Sequence, residues 1–533
     1  MRPFVDVAYF TPEIAVSQEL HTYAGGLGTV ADTMAKAAHT LNYPLAIVTI
    51  LWQQGYYDQV MGTYGMEVYH ADYRYNFLED TGVRVSVGVH TNPAVEIKVW
   101  KLPEERYGTC PVYFLDTNLP ENDELAKLIT RNLYGGDEKR RLATEIVLGI
   151  GGVRALDALG IHPRLYHLNE GHSVLASVEL LRQERASGKN FDEALACVRE
   201  KVVFTTHTPE RAGNEEHHIK LMEEMHCFPG ISRSDAERLG GSGGDVCNMT
   251  VFGLRTAYRA NGVSKKHTER AQKMWHWAEG CPIVEILNGV ARDWQNPACA
   301  SAASALELDA AKYEPKQKLF TYIEAKTGRL FHPDILTAGW ARRFAEYKRP
   351  TLLFQDMHFL EPLFRTGRLQ LIVAGKPHYH DKAMIDRWNE IRGRSIYMPS
   401  LVILENYERE QSALLKEGSD LWIQTSRYPR EACGTSGMAA NLNGTLVLST
   451  KDGWLGQVPQ EHHFLYGADH AGPTDAEQDY RDLQSLKEML PQALDLYYLD
   501  PDAWYKKAFA AKRYAEEHLT GERMLRDYDE KLY

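Results

Sequence analysis

The feature that most constrains this chain is an alternation, run through twice, of short apolar segments with segments of helical period. DVAYFTPEI reads as a strand and GGLGTVADTMAKAAHTL as a glycine turn entering a helix. PLAIVTIL is strand-like, RRLATEIVLGIGGVRALDAL helical, RLYHLNEG a strand end, HSVLASVELLRQERASG helical and KVVFTTHTP a strand. After a weaker region near 290–330 the pattern restarts. ILTAGW precedes a helix around KRPTLLFQDMHFLEPLF, and LQLIVAGKP precedes the helical HDKAMIDRWNEIRG. SLVILEN, DLWIQTS and TLVLST are further strands. Such alternation predicts an α/β fold with parallel strands and crossover helices. Two doubly wound halves are expected, joined near LNGVARDWQNP: residues 1–295, then 296–512, with a charged amphipathic helix, TGERMLRDYDEKLY, in the tail. Open sheets of this type bind ligands beyond the carboxyl ends of their strands, so the cleft between the halves is the expected site.

Composition narrows the function. The net charge of −12 over 533 residues, with no basic run, argues against a nucleic-acid partner. The seven cysteines include no CxxC pair, which suits a reducing compartment and argues against structural zinc. No stretch is long and apolar enough for a membrane span, and the N-terminal segment goes directly into a strand, so a cytoplasmic protein is expected.

Three segments carry candidate chemistry. In YAGGLGTVADTMAKAA (23–38), Gly25 and Gly26 let the backbone approach a ligand, and the helix that follows offers N–H groups to an anion. In GWARRFAEYKRP (339–350), Arg342, Arg343, Lys348 and Arg349 crowd four cations behind a strand, at a helix start whose dipole disfavours them; a phosphate removes that conflict. In SRYPREACGTSGMAANLNG (426–444), Glu431 stands at a strand exit, and Gly434, Thr435 and Ser436 open a helix, with Thr or Ser as its cap and the backbone as an anion cradle. Glu431 suits the hydroxyls of a neutral polyol better than a phosphate. His207, in FTTHTPERAG, lies at a strand's carboxyl end. HLNEGHS (167–173) and GKPHYHDK (375–382) are also histidine-bearing, but His378 and His380 have no evident third ligand, and no metal is expected.

These segments together resemble the alpha-glucan phosphorylase family of retaining glycosyltransferases, above all its shorter members. YAGGLG, HLNEGH, FTTHTP, RANGVSKKH (259–267), ILNGV (286–290), ARRFAEYKR, EACGTSGM and LNGTLVLSTKDGW (442–454) occur in the family's order. EACG is also similar to an element of glycogen and starch synthases. The resemblance implies the two-Rossmann GT-B fold, its two domains facing a central cleft, with residues 513–533 crossing back to the N-terminal domain. It implies that Arg343 and Lys348 hold the reacting phosphate, with Tyr347 beside them, and that Glu431 and Asn288 grip the sugar. His207 would pack by the anomeric carbon, and Gly434, Thr435 and Ser436 would form the cradle.

One position departs. Where the family carries the lysine that forms a Schiff base with pyridoxal phosphate, this chain has Ala439. Alanine has no amine, so no covalent cofactor is expected there. A polar, cationic hole without the cofactor is one that a nucleoside diphosphate can fill. The leading expectation is therefore a retaining hexosyltransferase, glucosyl by family, using a nucleotide sugar or sugar phosphate donor and a sugar or glucan acceptor without pyridoxal phosphate. A phosphorylase releasing glucose 1-phosphate, and a catalytically silent glucan-binding relative, remain as alternatives. Nucleobase, sugar epimer, acceptor and oligomeric state are not encoded legibly.

Overall fold

The structure, a computed structural model, describes residues 4–210 and 214–533; the last three residues of the FTTHTPERAG segment and the first three of the chain lie outside them. It divides into two compact units. The first comprises residues up to Tyr57, His70–Asn288 and Met524–Tyr533; the second comprises Asp58–Tyr69 and Gly289–Arg523.

The first unit is built on a nine-stranded sheet. In chain order its strands are β1 (Val7–Phe10), β2 (Leu45–Ile50), β3 (Glu79–Val89), β4 (Asn92–Lys101), β5 (Val112–Asp116), β6 (Leu165–Asn169), β7 (Val202–Thr205), β8 (Arg259–Gly262) and β9 (Ile283–Glu285). Their spatial order is β9-β8-β7-β6-β1-β2-β5-β4-β3. All pairings from β9 to β5 are parallel, and only β4 and β3 join antiparallel at one edge. β1, β2, β6 and β7 are buried at every residue, as strands covered on both faces must be.

The second unit has six parallel strands: β10 (Thr337–Ala341), β11 (Gln370–Ala374), β12 (Leu401–Leu404), β13 (Leu421–Ile423), β14 (Leu446–Thr450) and β15 (Phe464–Tyr466). They lie in the order β12-β11-β10-β13-β14-β15, which is the 3-2-1-4-5-6 order of Rossmann sheets. An insertion from the N-terminal third completes this unit. The hairpin of Asp58–Gly62 and Gly65–Tyr69 buries Met66 in its core, where Asn389 Oδ1 accepts from the Met66 N–H at 2.9 Å.

The weak region near 290–330 contains a 23-residue helix, Ala305–Thr327. Its buried positions include Lys312 and Lys316, which a hydrophobic pattern counts as surface. Lys312 Nζ donates to the carbonyls of Glu417 and Ser419 at 2.6 and 2.7 Å and to Thr445 Oγ1 at 2.9 Å; Lys316 Nζ donates to Asp420 Oδ2 at 2.7 Å.

Two points in the topology matter for function. Strand order reverses direction between β1 and β6 in the first unit and between β10 and β13 in the second. The loops leaving such a pair diverge and open a crevice at the carboxyl ends. The tail returns to the first unit, where Tyr533 Oη and His167 Nδ1 lie 2.6 Å apart and Tyr258 Oη donates to the Leu532 carbonyl at 2.5 Å. All seven cysteines are free thiols, and among the described residues no helix is long and apolar enough to cross a membrane.

Candidate functional site

In the second unit the reversal point is occupied by a compact charge cluster. Arg342 immediately follows β10; Ser426 and Glu431 lie in the loop after β13. Arg342 Nη2 donates to Glu431 Oε2 at 2.9 Å and its Nη1 to Ser426 Oγ at 2.7 Å. Lys348 Nζ donates to both Glu431 oxygens, at 3.1 and 2.9 Å, and Ser426 Oγ donates to Oε2 at 2.6 Å. The Glu431 N–H is held by Asp452 Oδ2 at 2.8 Å. Burial disfavours the ionised carboxyl, yet Lys348 and then Arg342, with the Ser426 hydroxyl, hold it down at about 2. One carboxylate thus carries two buried cations.

The neighbouring cations do different work. Arg349 donates to the carbonyls of Thr425 and Ser426 at 2.6 and 3.0 Å, and Arg349 Nη1 pairs with Asp479 and Asp482 at 2.9 and 2.7 Å. It fixes the backbone of the strand-exit loop. Arg343, assigned above to the phosphate, is exposed, whereas Arg342 is the arginine buried on Glu431. Lys348 Nζ lies 4.9 Å from the centre of the Tyr347 ring, and the Tyr347 carbonyl accepts from the Arg427 N–H at 2.7 Å.

Behind this cluster begins the helix Thr435–Leu442. Its cap is Gly434 rather than Thr435 or Ser436, and no side chain caps it. The reason is conformational: Gly434 has φ +80°, a region that L side chains rarely adopt. A Cβ at Gly434 would also sit 3.3 Å from Glu431 Cγ and 3.7 Å from Arg342 Nη2. The Ser436 hydroxyl accepts from Gln424 Nε2 at 3.2 Å. Ala439 is buried five residues beyond the cap, and its carbonyl accepts from Asn443 Nδ2 at 3.1 Å.

The reversal point of the first unit carries a second cluster. His207 stands two residues beyond β7, its Nε2 2.7 Å from Asn169 Oδ1. Its backbone N–H donates to the carboxylate of Glu170, which leaves β6 at φ +69°. A non-glycine residue in that conformation carries strain that its surroundings must hold. Burial raises the Glu170 carboxyl to about 7, and burial, then the nearby His267, lowers the His207 imidazole to about 3. Glu170 was within a motif noted only for its histidines; the backbone strain that distinguishes it has no sequence signature beyond its place at a strand exit.

Glu13, at the exit of β1, accepts from the N–H groups of Ala24 and Gly25 and from Tyr134 Oη at 3.1 Å. The glycine turn therefore already holds an internal carboxylate. A Cβ on Gly25 or Gly26 would meet nothing within 4 Å, so these glycines border open space rather than a packed neighbour. Asn288 is buried at the end of the first unit, its N–H donating to the Val263 carbonyl at 3.2 Å. His378 is half-buried and His380 exposed on one loop.

No family model matches the chain. Individual relatives do. It is 40% identical to an uncharacterized protein of Methanocaldococcus jannaschii over 99% of both chains. It is 31% identical to the glycogen phosphorylase of Mycobacterium tuberculosis, over 99% of this chain and 70% of the relative. A maltodextrin phosphorylase of Thermococcus litoralis is 30% identical over the same shares.

Proposed function

Since the chain belongs to the glycogen and maltodextrin phosphorylase family, we propose that it is a retaining glycosyltransferase that moves a glucosyl unit from a phosphate-bearing donor to a sugar or glucan acceptor, and that the donor is a nucleotide sugar. One observation carries the reading: Arg342 and Lys348 remain buried on Glu431 at the reversal point, while position 439 of the adjoining helix is a packed alanine. In this reading Lys348 and the exposed Arg343 manage phosphate charge, while Arg342 keeps Glu431 in an ion pair. The amine that would tether a phosphate-bearing cofactor is absent. A donor that brings its own second phosphate supplies what the cofactor would have supplied.

In this reading the departing diphosphate develops charge as the glycosidic bond breaks through an oxocarbenium-like transition state. Arg343, exposed at the rim, and Lys348 meet that charge, with the N–H groups that open the helix at Gly434, Thr435 and Ser436. Glu431 changes partner: sugar hydroxyls donate to it as the phosphate draws Lys348 away, so the resting ion pairs keep the site preorganised and charge-balanced before the donor arrives. Tyr347 flanks Lys348. In the first unit, His207 and Asn288 are assigned to the sugar, and Gly25 and Gly26 to backbone approach by the ligand. His207 stays neutral through the physiological range and serves as a hydrogen-bonding group rather than a cation. No enzymatic nucleophile is assigned, because the leaving phosphate can accept the proton of the incoming hydroxyl. Pyridoxal phosphate is not covalently bound.

The names of the relatives favour a second reading, phosphorolysis of an alpha-glucan to glucose 1-phosphate without a covalently held cofactor. Ligand-induced stabilisation separates the two. A ligand at a hundred times its Kd raises stability by about 2.7 kcal/mol. Thermal unfolding with nucleoside diphosphate glucoses should show such a rise, and glucose 1-phosphate with inorganic phosphate a smaller one. The reverse ranking supports the second reading.

A further inference from the structure

We propose that Glu145, Glu215 and His217, with His172 at their side, form a binding site for a divalent first-row transition metal, with zinc the best match, inside the first unit. The site lies apart from the phosphate cluster and adjoins Glu170; the sequence offers HLNEGHS as a histidine-bearing segment, but the metal pair it suggests is His378 and His380.

The residues come from three segments. Glu145 lies on the helix Glu138–Ile146, His172 in the turn Gly171–Ser173 after β6, and Glu215 and His217 at the short strand Glu216–His218 of a small antiparallel sheet. One ligand atom from each of Glu145, Glu215 and His217 falls within 4.8 Å of the others, and among the described residues this is the group that does so. His217 Nε2 is 4.0 Å from Glu145 Oε2. His172 Nδ1 is 3.0 Å from Glu215 Oε2 and 3.5 Å from Glu145 Oε1. An ion about 2.0–2.2 Å from each nitrogen and oxygen needs only a small contraction of these spacings.

Two observations point to a missing cation rather than to a self-sufficient network. First, among the described residues both oxygens of Glu145 and the Nε2 of His217 are buried with no hydrogen-bond partner, and both side chains are only 1% exposed. Leaving such groups unsatisfied is costly, and a buried carboxylate in particular calls for a positive partner. Second, His217 is oriented from behind: its Nδ1 lies 3.0 Å from Glu138 Oε1. That contact assigns the proton to Nδ1 and turns the Nε2 lone pair toward Glu145. A carboxylate behind a histidine whose other nitrogen faces further carboxylates is the arrangement that fixes a metal-ligating imidazole. Arg141 Nη1 holds the outer oxygen of Glu215 at 3.0 Å.

Mixed imidazole and carboxylate ligands suit zinc, with iron and manganese as competitors. With no substrate group of the sugar site among its ligands, the ion is structural. It would clamp the Glu215–His217 segment to the helix Glu138–Ile146 and steady the turn that carries Glu170 two residues before His172.

The test uses the full-length protein purified without chelator. Elemental analysis should find stoichiometric metal, or zinc chloride added to the chelator-treated protein should bind once per chain and raise the thermal midpoint. Zinc K-edge absorption should report nitrogen and oxygen ligands without sulfur. His217→Phe and Glu145→Gln should each abolish that binding, and His380→Ala should leave it unchanged. If the His217 variant does not fold, the Glu145 variant and the wild-type metal content still decide. No metal after purification together with no zinc-induced shift, a sulfur-ligated ion, or binding that survives both substitutions would overturn the proposal.

Discussion

Arg342 Nη2 and Glu431 Oε2 lie 2.9 Å apart, and Lys348 Nζ reaches the same oxygen at 2.9 Å, so a single carboxylate, its side chain 12% exposed, balances two buried cations at the exit of the second sheet. Removing one member of a buried ion pair leaves an uncompensated charge and typically costs about 3–5 kcal/mol. Glu431→Gln should therefore lose stability of that order in urea unfolding, in addition to any loss of sugar affinity. A variant as stable as wild type would show that the two cations have other partners.

The two adjacent arginines should separate cleanly. Arg343 is exposed and Arg342 buried, so Arg343→Ala should keep its unfolding midpoint while losing turnover. Loss of one contact to developing charge costs about 2.7–4 kcal/mol of transition-state stabilisation, or 10²–10³ in kcat. Arg342→Ala should lose both activity and stability. Wild-type turnover by the Arg343 variant would remove that residue from the reaction.

The carboxyls predict opposite responses to pH. Glu431, lowered to about 2, contributes stability that is present above the unfolded value near 4.3 and lost as pH falls through about 2. Glu170, raised to about 7, holds a proton in the folded chain that the unfolded chain releases above roughly 4.3. Its burial therefore costs more as pH rises, by roughly 4 kcal/mol at about 1.4 kcal/mol per unit, and the cost is complete above 7. Glu170→Gln should gain on wild type between pH 5 and pH 8 in urea midpoints; a constant difference across that range would contradict the assignment.

Much of this architecture was legible because parallel strands covered on both faces must be apolar throughout. PLAIVTIL, LQLIVAGKP and TLVLST each enclose a fully buried strand. What stayed illegible has physical reasons. Glu79–Val89 and Asn92–Lys101 form an edge pair with one solvated face and many charges, so their runs look like loop. The helix Ala305–Thr327 hides its buried side behind Lys312 and Lys316, whose ammonium groups are satisfied by carbonyls, hydroxyls and an aspartate brought from elsewhere in the fold. At the site, motif spacing reached Lys348 and Glu431. It did not separate Arg342 from Arg343, because which of two neighbours turns inward depends on the backbone leaving β10. Nor could it show Gly434 as the helix cap, since that depends on a positive φ.

Ala439 supports a prediction about cofactor chemistry. Borohydride reduction followed by intact-mass measurement should find no pyridoxyl adduct on the wild-type chain, and Ala439→Lys should acquire at most a partial one. A Schiff-base lysine needs a pocket that desolvates it and holds the pyridine ring. A stoichiometric adduct in the variant, together with phosphate-dependent glucan cleavage, would mean that the pocket still fits the cofactor.

The most direct measurement is turnover by the purified full-length chain with maltooligosaccharide, run in two arms: nucleoside diphosphate glucoses as donors, and inorganic phosphate with no nucleotide. Release of nucleoside diphosphate, with an acceptor lengthened by one retained-anomer glucosyl unit and no reaction in the phosphate arm, is the predicted result. Phosphate-dependent release of glucose 1-phosphate, with every nucleotide sugar left intact, would contradict it.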